Sequence, residues 1–565
     1  MRKKGQLFMK YEHIFTLFEK IANKNSNKVA LAMKSKWGWR EFTYKGLSIM
    51  AQKLGAYLIN DLQIEKGERI AILSESKPEY APCVFGSALA GLVTVPLDNK
   101  LTIYELESIL SNCEPTVMLC SGANLEKARE VQKRVPSIKH LILMDAALFD
   151  NKDIPSLYSI PENYKAKWRR RPLSATAFII YTSGTTGAPK GVQTTYKNIL
   201  TQMYDLRPVF KKIMPDDDVR LLSILPMNHL FEMTVGFFAM LINGYSINYT
   251  KSLKPKDILE IMGEKKIRFL VTVPAFLKLL KTSAESDIRK KSQIYQFFFN
   301  LRYAIARFMP RVCRRVFFKS VHKMFGAELY GCISGGAPLD EAVGEFFDRI
   351  GVRVYQGYGL SETSPVASMA RPSRNYDLTS VGPILDSYEA KIDKDTGELL
   401  LKGPSVMKGY YKQEELTKTV IDEDGFFHTG DKAEIRNGNL YITGRLKNMI
   451  VLSGGKKVFP EEVENVLGDS PNFAEVCVVG MKRVGGEKDG CEEIVTVIVP
   501  TEDLRAKYTD DTELEKAVRA EVKELSNRLA SYKRPVKIVI YKEALPKTTT
   551  NKLKRQAIKE EILAR

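Results

Sequence analysis

Apolar runs that favour β structure alternate with amphipathic stretches up to about residue 370. The clearest apolar runs are residues 69–73, 116–120, 140–143, 178–180 and 269–273. Each run has the length of a strand, and the amphipathic stretches between them have the pattern of helices that cover a sheet. The alternation predicts an α/β fold with mainly parallel sheets, arranged as two stacked lobes.

The pattern changes twice in the second half of the chain. From Val381 to Gly444 the apolar segments shorten and turn residues crowd in at 395–397, 424–425 and 437–439, which predicts a small antiparallel, barrel-like β unit. Beyond Gly444 a compact α+β pattern follows. It comprises a helix from Pro460, strands at 476–479, 494–499 and 536–541, a helix from Thr512 to about Tyr532, and a last helix at 553–564.

These changes divide the chain into two predicted domains. The larger is residues 1–444, with a β-rich subdomain at about 375–444, and the smaller is residues 445–565. At 565 residues the chain is too long for a single hydrophobic core, and a C-terminal domain of this length lies within the usual range.

The most informative chemistry is the loop at residues 181–192, YTSGTTGAPKGV. An apolar run leads into it, and Thr194 and Thr195 are suitable helix caps, so we expect strand, loop and helix in that order. Glycines free backbone N–H groups to converge on an anion, hydroxyls add donors, and Lys190 adds charge. The Walker A spacing does not fit, because Pro189 stands where that motif requires glycine. The loop therefore predicts a phosphate site of another kind.

Composition narrows the class of protein. Seven scattered cysteines without a CxxC pair indicate reduced thiols in the cytoplasm rather than a disulfide framework or a zinc site. The N-terminus lacks the apolar core of a signal peptide, and the most apolar window, 221–249, contains Asn228, His229 and Glu232. We expect a soluble or surface-bound protein.

The formal net charge of +19 is partly concentrated at residues 289–325. Basic residues there alternate with aromatic ones and no Asp or Glu intervenes; they are Arg289, Lys290, Lys291, Arg302, Arg307, Arg311, Arg314, Arg315, Lys319 and Lys323. Two interpretations stay open: peripheral contact with an anionic membrane, on its inner face, or an ordinary helical pair with core aromatics and solvated arginines. A nucleic-acid partner is not expected, because no nucleic-acid-binding module accompanies the charge.

Four further segments carry residues suited to a nucleotide. Residues 334–339, SGGAPL, form a glycine-rich turn, and 356–363, QGYGLSET, pair an aromatic ring with a carboxylate suited to Mg²⁺. Residues 424–431 end in Asp431, which can accept two ribose hydroxyls, and residues 546–555 contain lysines near the C-terminus. Each segment alone is weak, because Asp after Thr-Gly is more often a turn residue than a ligand.

In this order and spacing the segments resemble the adenylate-forming superfamily, which includes acyl-CoA synthetases, aryl-CoA ligases and firefly luciferase. The resemblance extends over nearly the whole chain, from residues 42–45 through 93–97 to the C-terminal lysine. It implies a mobile C-terminal domain that rotates about a hinge near Lys447 between two reaction steps.

The resemblance also implies roles for individual residues. It assigns the ATP phosphates to Thr182, Ser183, Gly184, Thr185, Thr186, Gly187 and Lys190. It assigns adenine to Gly335, Gly336, Ala337 and Tyr358, and includes Gly359 among the nucleotide-binding residues. It assigns ribose to Asp431, a second ribose or phosphate contact to Arg445, and the pantetheine tunnel to the loop of Gly455. Glu362 would hold Mg²⁺, and Lys552 would be the catalytic lysine, with Thr186, Glu362 and Lys447 also in catalytic roles. His229, Thr272 and Pro274 would line the substrate pocket.

The sequence departs from the family pattern at two positions. Asn551 precedes the catalytic lysine where the family usually has glycine, and Ser361 precedes the glutamate where threonine is commoner. Asn tolerates a left-handed backbone better than other non-glycine residues, and Ser361 keeps the hydroxyl, so both are compatible with activity.

For the substrate, the pocket segments 225–231 and 272–275 offer no obvious cation for a second carboxylate, which favours an acid with an apolar tail. Residues 316–339 and 442–453 resemble long-chain fatty acyl-CoA synthetases. The predicted function is ATP-dependent activation of a long-chain fatty acid and its transfer to coenzyme A. Acyl carrier protein is an alternative acceptor, because such carriers are acidic. A non-catalytic lipid- or nucleotide-binding protein on the same fold is an alternative of another class.

Overall fold

The computed structural model describes residues 13–145, 154–182, 190–214, 216–372, 377–452, 456–482, 492–508, 510–547 and 553–564. Chain contacts divide the protein into two compact units. The first comprises Met1–Glu389 and Leu401–Phe427, and the second comprises Ala390–Leu400 and His428–Arg565.

The first unit contains two large sheets. The eight-stranded sheet has the spatial order Ser368–Met369, Arg353–Tyr358, Gly331–Ser334, Phe269–Thr272, Arg220–Ser223, Ser246–Tyr249, Val29–Ser35 and Gly38–Thr43. The seven-stranded sheet has the order Gly409–Tyr410, Lys190–Thr195, Thr176–Thr182, Val93–Leu97, Arg69–Leu73, Val117–Cys120 and His140–Leu143. Their central strands pair in parallel, which confirms the predicted α/β class.

Helices cover these sheets because each carries an apolar face. The α-helices of this unit are Ile14–Lys24, Tyr44–Asn60, Tyr80–Ala90, Ile103–Cys113, Leu125–Arg134, Tyr196–Ile213, Ala239–Ile242, Pro255–Glu264, Pro274–Arg289, Gln293–Ala306, Arg311–Phe317, Lys319–Met324, Glu341–Arg349 and Glu414–Val420. The described residues also form a π-helix at Glu232–Phe238 and 3₁₀ turns at Gly122–Asn124 and Ser361–Thr363. Thr102 and Thr195 begin their helices with capping boxes, as their hydroxyl side chains favour.

The described part of the first unit contains a hydrophobic core on each of its large sheets. One gathers residues such as Leu222, Leu270 and Leu277 from the eight-stranded sheet and its helices. The other gathers residues such as Val95 and Met118 from the seven-stranded sheet. The central strands Arg69–Leu73 and Val93–Leu97 are mostly apolar and buried along their length, as expected where both faces of a sheet are covered.

The β-rich segment forms a four-stranded sheet of Glu389–Ile392, Glu398–Lys402, Phe427–Arg436 and Asn439–Arg445, in that spatial order. Farther along the chain, Ile450–Val451 pairs with Lys457–Val458, and Phe473–Lys482, Glu492–Pro500 and Lys537–Ile540 form a three-stranded sheet. The helices of this part are Pro460–Gly468, Glu502–Arg505, Asp511–Ser526 and Arg555–Ala564, with 3₁₀ turns at Leu446–Asn448 and Ser531–Lys533. Helices pack on the three-stranded sheet around two cores of their own.

No α-helix among the described segments combines the length and the apolar character that a membrane crossing requires.

Candidate active site

Four neighbouring parallel strands of the first unit deliver the predicted site segments to one edge of a sheet. Arg220–Ser223, Phe269–Thr272, Gly331–Ser334 and Arg353–Tyr358 lie side by side, and Ser334 is level with both Thr272 and Gln356. The segments that follow these strands carry His229, Pro274, Gly335, Gly336, Ala337, Gly359 and Glu362. The carboxyl edge of parallel strands is the usual ligand-binding edge of such sheets.

The glycine-rich turn touches both predicted pocket segments. The backbone N–H of Gly335 donates to the carbonyl oxygen of Thr272 at 3.3 Å. A Cβ on Gly335 would lie 3.0 Å from the ring of Phe231, so a side chain there would disturb that contact. Gly336 has a φ of +85°, which favours glycine, and a Cβ there would lie 3.9 Å from the side chain of Val273. The predicted adenine platform and the predicted acyl pocket therefore adjoin.

The pocket residues differ in accessibility. Thr272 is fully buried at the end of its strand, and Pro274 begins the helix Pro274–Arg289. His229 is half-buried, and its carbonyl oxygen accepts from the backbone N–H of Met233 at 3.0 Å. The structure thus brings His229, Thr272 and Pro274 to the same sheet edge as the glycine turn.

The loop that carries Glu362 is tightly held. A Cβ on Gly359 would lie 1.7 Å from the carbonyl oxygen of Pro365, so this position requires glycine. The Thr363 hydroxyl donates to the carbonyl oxygens of Leu360 and Pro365, at 3.0 and 3.1 Å. Because these hydrogen bonds lie within the loop, they fix the backbone position from which the Glu362 side chain extends.

Two side chains outside the loop brace it further. The Gln202 amide, on the helix Tyr196–Ile213, donates to the carbonyl oxygen of Val366 at 2.8 Å and accepts from the N–H of that residue at 3.2 Å. The hydroxyl of the buried Tyr388 donates to the carbonyl oxygen of Thr363 at 2.5 Å. Positioning residues of this kind limit the movement of a ligand-binding carboxylate.

Tyr410 contacts both Lys190, at the end of the predicted phosphate loop, and Glu362, the predicted metal carboxylate. Its hydroxyl donates to Glu362 Oε1 at 2.8 Å, and the Lys190 ammonium lies 5.5 Å from the centroid of its ring. Burial, followed by the charge and the hydrogen bond of Glu362, raises the pKa of Tyr410, which therefore remains a donor at neutral pH. Sequence reasoning missed Tyr410. The available signal was the pair Tyr410 and Tyr411 in a Gly-Tyr-Tyr segment of the β-rich region.

The predicted phosphate loop lies between the expected strand and the expected helix, but a further strand precedes the helix. Thr176–Thr182 pairs antiparallel with Lys190–Thr195, and Thr182 is level with Lys190. The helix begins only at Tyr196, with Thr195 as its N-cap. The predicted cap is therefore confirmed, but the sequence did not indicate the strand before it: residues 190–195 pair with Thr176–Thr182 on one side and Gly409–Tyr410 on the other.

Several predicted residues lie outside the described part of the chain. They are Ser183, Gly184, Thr185, Thr186, Gly187, Gly455 and Lys552. The roles of these residues stay predictions.

In the second unit the predicted ribose ligand, Asp431, lies beside Arg445, the predicted ribose or phosphate contact. Asp431 and Arg445 are paired residues on the antiparallel strands Phe427–Arg436 and Asn439–Arg445. Arg445 Nε donates to Asp431 Oδ1 at 2.8 Å, and Asp431 is only 2% exposed. The guanidinium fixes the carboxylate in an orientation that suits hydroxyl recognition. The exposed Lys447 follows immediately, in the 3₁₀ turn Leu446–Asn448.

The surroundings of Glu362 suit a metal ion that is bound partly by the protein and partly by the phosphates of a substrate. Among the described residues, no cluster of three or more His, Cys, Asp or Glu side chains forms a cage for a metal ion. Mg²⁺ commonly takes one or two protein carboxylates and completes its shell with water and substrate phosphates. Glu362, whose Oε1 already accepts a hydrogen bond from Tyr410, suits that kind of site.

Comparisons with known proteins show the family to which the chain belongs. A model of the AMP-binding enzyme family matches residues 18–411, and a model of the AMP-binding enzyme C-terminal domain matches residues 462–552. The chain is 26% identical to a long-chain-fatty-acid–CoA ligase of Salmonella typhimurium, over 98% of this chain and 95% of the relative. It is 29% identical to a probable 4-coumarate–CoA ligase 1 of Dictyostelium discoideum, over 89% of this chain and 87% of the relative.

A solved structure supports the fold independently. The anthranilate CoA ligase AuaEII, crystallised with anthranoyl-AMP, superposes with a TM-score of 0.79 at 20% identity and covers 99% of both chains. Since the family models match most of the sequence, the chain belongs to the AMP-binding enzymes, as an adenylate-forming CoA ligase.

Proposed function

We propose that this protein joins a long-chain fatty acid to coenzyme A in two steps, through an acyl-adenylate with release of pyrophosphate. The observation that carries the proposal is the arrangement Lys190, Tyr410 and Glu362 in the same unit as the adjoining glycine turn and pocket segments. A cation and a carboxylate there suit a polyphosphate, and the pocket beside the turn suits the acid.

In the first step the fatty acid carboxylate attacks the α-phosphorus of ATP and pyrophosphate leaves. The reaction brings two anions together, so charge neutralisation and positioning dominate over proton transfer. Lys190 and the hydroxyl- and glycine-rich loop would hold the leaving phosphates. Glu362 would hold Mg²⁺, which supplies positive charge that offsets the repulsion between the reacting anions. Lys552 would stabilise charge on the pentacoordinate phosphorus.

Asp431 and Arg445 would orient the nucleotide through its ribose. Asp431 is buried and already accepts from the Arg445 guanidinium, so its orientation is fixed before the nucleotide binds. Fixed acceptors raise the fraction of bound ATP in a reactive geometry. Tyr358 and the turn from Gly335 to Ala337 would hold the adenine ring.

In the second step a thiolate attacks the acyl carbon and AMP leaves. The mixed anhydride is reactive toward water, so closure of the site around it protects the intermediate. Lys447 and Gly455 are proposed to act in this step, at a hinge and beside the thiol channel. We also propose a cytoplasmic location, because ATP and coenzyme A are available there and the described cysteines carry no disulfide.

The acyl substrate is the part of the proposal that most needs measurement. A long apolar tail is supported by the pocket segments 225–231 and 272–275, which contain no Lys or Arg. Pyrophosphate release across saturated acids of increasing length, with acetate, benzoate and 4-coumarate as comparisons, tests it. We expect the highest kcat/KM for long chains; activity confined to the short or aromatic acids overturns the fatty acid assignment. No release with any acid would favour the binding-protein alternative.

Acyl carrier protein is a second candidate acceptor, favoured by the net charge of +19. Thioester formation should be measured with coenzyme A and with phosphopantetheinylated carrier protein at equal concentration. We expect product on coenzyme A. Product on the carrier protein alone would contradict this and leave the first step of the proposal unchanged.

A further inference from the structure

The helix Gln293–Ala306 is apolar on both of its faces. Its inner face packs Tyr295, Phe299 and Tyr303 against the core of the eight-stranded sheet. Its outer face is exposed and carries apolar residues three or four positions apart, namely Ile294, Phe297, Phe298, Leu301 and Ile305. A surface helix normally presents polar residues to water, so this outer face is suited to an apolar environment.

A second apolar stripe continues the first. Phe308, Val312 and Val316 recur every four residues along and before the helix Arg311–Phe317, and Phe317 adjoins them. The exposed fractions over both stripes run from 41% at Phe317 to 76% at Phe308 and Val312. A cavity of about 280 Å³ lies within this region, with Ile294, Tyr295, Phe298, Arg302 and Phe317 in its lining. Exposed apolar surface of this extent indicates an interaction site.

The charged residues around the stripes are of one sign. Arg302, Arg307, Lys319 and Lys323 are exposed, and no Asp or Glu occurs from residue 288 to residue 327. Within the described part of the chain, the carboxylates that form ion pairs with this segment are Asp287, 3.3 Å from Lys290, and Asp348, 2.5 Å from Arg314. Neither of them pairs with those four cations.

Other arginines of the segment serve the fold instead. Arg311 Nε donates to the carbonyl oxygen of Gly351 at 3.0 Å, and Arg314 Nε donates to that of Met309 at 2.8 Å. Arg315 also donates to main-chain carbonyl oxygens, among them that of Leu329. These side chains hold in place the short helices on which the second stripe lies. We therefore do not include them among the cations available to bind a ligand.

We propose that the exposed face of residues 293–317, with Lys319 and Lys323, docks on an anionic lipid bilayer. The two apolar stripes enter the boundary between headgroups and acyl chains, and the four cations meet lipid phosphates. An acidic protein would match the charges but would need a complementary apolar surface, whereas a bilayer meets both requirements. A second copy of the chain would bring two basic faces together, which repel each other. This surface is separate from the residues of the proposed reaction.

Vesicle flotation tests the proposal with the full-length protein. Vesicles of phosphatidylcholine alone are compared with vesicles that also contain phosphatidylglycerol, at low and high salt. We expect binding to the anionic vesicles at low salt and weaker binding at high salt. F298S/L301S should lower the partition coefficient at least tenfold at either salt concentration. R302Q/R307Q should lower it about fivefold per removed charge, at low salt only.

Matched controls separate the site from general properties of the surface. W37S removes an aromatic side chain that is 85% exposed elsewhere in the same unit, and K165Q/K167Q removes two exposed charges. Both should bind vesicles like the unmodified protein, and all variants should keep its thermal unfolding midpoint.

Three results would overturn the proposal. The first is absence of binding to anionic vesicles. Binding of an acidic carrier protein through Phe298 and Arg302, without vesicle binding, would be one form of this result. The second is equal loss of binding in K165Q/K167Q and R302Q/R307Q. The third is a self-associating protein that F298S/L301S converts to a monomer while vesicle binding is unchanged.

Discussion

At the residue scale, the hydroxyl of Tyr410 has one described acceptor, the carboxylate of Glu362. The bond has a charged acceptor, and such bonds are stronger than neutral ones. It holds one carboxylate oxygen in place and leaves the other carboxylate oxygen to face a different ligand. The ring of the same residue faces Lys190, so a single side chain sets the distance between the proposed metal carboxylate and the phosphate-binding lysine.

Tyr410→Phe should therefore lower kcat for pyrophosphate release about tenfold and raise the Mg²⁺ concentration needed for half-maximal rate. The ring facing Lys190 is retained, so the KM for ATP should change less. Tyr411→Phe is the matched control, because Tyr411 packs against the core of the seven-stranded sheet and should keep normal rates. An unchanged Mg²⁺ dependence in Tyr410→Phe would show that the hydroxyl does not position the metal carboxylate.

Glu232 is a fully buried carboxyl in the π-helix Glu232–Phe238, where the Ser223 hydroxyl donates to its Oε1 at 2.6 Å. The neighbouring Gly236 leaves room for it, since a Cβ there would lie 2.4 Å from Oε1. Burial raises the pKa of Glu232 to about 8. The folded protein thus keeps a proton that the unfolded chain releases above its ordinary pKa of 4.5.

The free energy of unfolding should consequently fall as pH rises from 4.5 to 8 and level off above that range, because the native state binds more protons there. Glu232→Gln cannot ionise, so it should unfold like the parent near pH 4 and be more stable by about 4 kcal/mol at pH 8. Urea unfolding at both pH values measures the difference. Glu423→Gln, at an exposed position, should show no such gain, and a gain in Glu232→Gln that is independent of pH would contradict the ionisation argument.

At the element scale, strand pairing explains what local sequence could not indicate. Residues 190–195 follow a glycine-rich loop and precede a helix cap, so they read locally as part of the loop. They form a strand because Thr176–Thr182 and the distant Gly409–Tyr410 pair on either side of them. The same pairing brings Tyr410 close to Lys190. Since the two residues are far apart in the sequence, the role of Tyr410 could not be predicted from it. By contrast, the strands at 69–73 and 140–143 were predicted correctly, because their apolar character is continuous within a few residues.

Substitutions in the helix Gln293–Ala306 can show whether one of its faces is packed and the other exposed in solution. Phe299 packs on the core, with its ring 5.4 Å from that of the buried Phe318, whereas Phe297 is 65% exposed. Phe299→Ala should lower the free energy of unfolding by about 2–3 kcal/mol, and Phe297→Ala should change it by less than about 0.5 kcal/mol. Chemical denaturation measures both. Equal destabilisation would mean that the outer face is also packed in solution.

At the scale of the whole molecule, the resemblance in the sequence predicted the family and the α/β class, and both are confirmed. Both predictions rest on short contiguous segments of sequence, such as the loop at 181–192. Such segments can be identified without knowing which residues are in contact. The domain boundary at residue 444 and the hinge at Lys447 stay predictions, since they concern motion rather than pairing. The pairing of Asp431 with Arg445 follows from the hairpin between their strands, which the turn at 437–439 indicates.

Substitution of Lys552 tests whether this residue acts only in the first of the two proposed steps. If this lysine stabilises charge only on the phosphorus, Lys552→Ala should lower ATP-dependent pyrophosphate release by at least about a hundredfold. Thioester formation from pre-made acyl-adenylate and coenzyme A should then fall no more than about threefold, because that step develops no new charge on phosphorus. Lys554→Ala is the control, since Lys554 is exposed and only two positions away. An equal loss in both steps would instead indicate that Lys552 supports binding of the adenylate in general, and the two-step assignment of its role would be wrong.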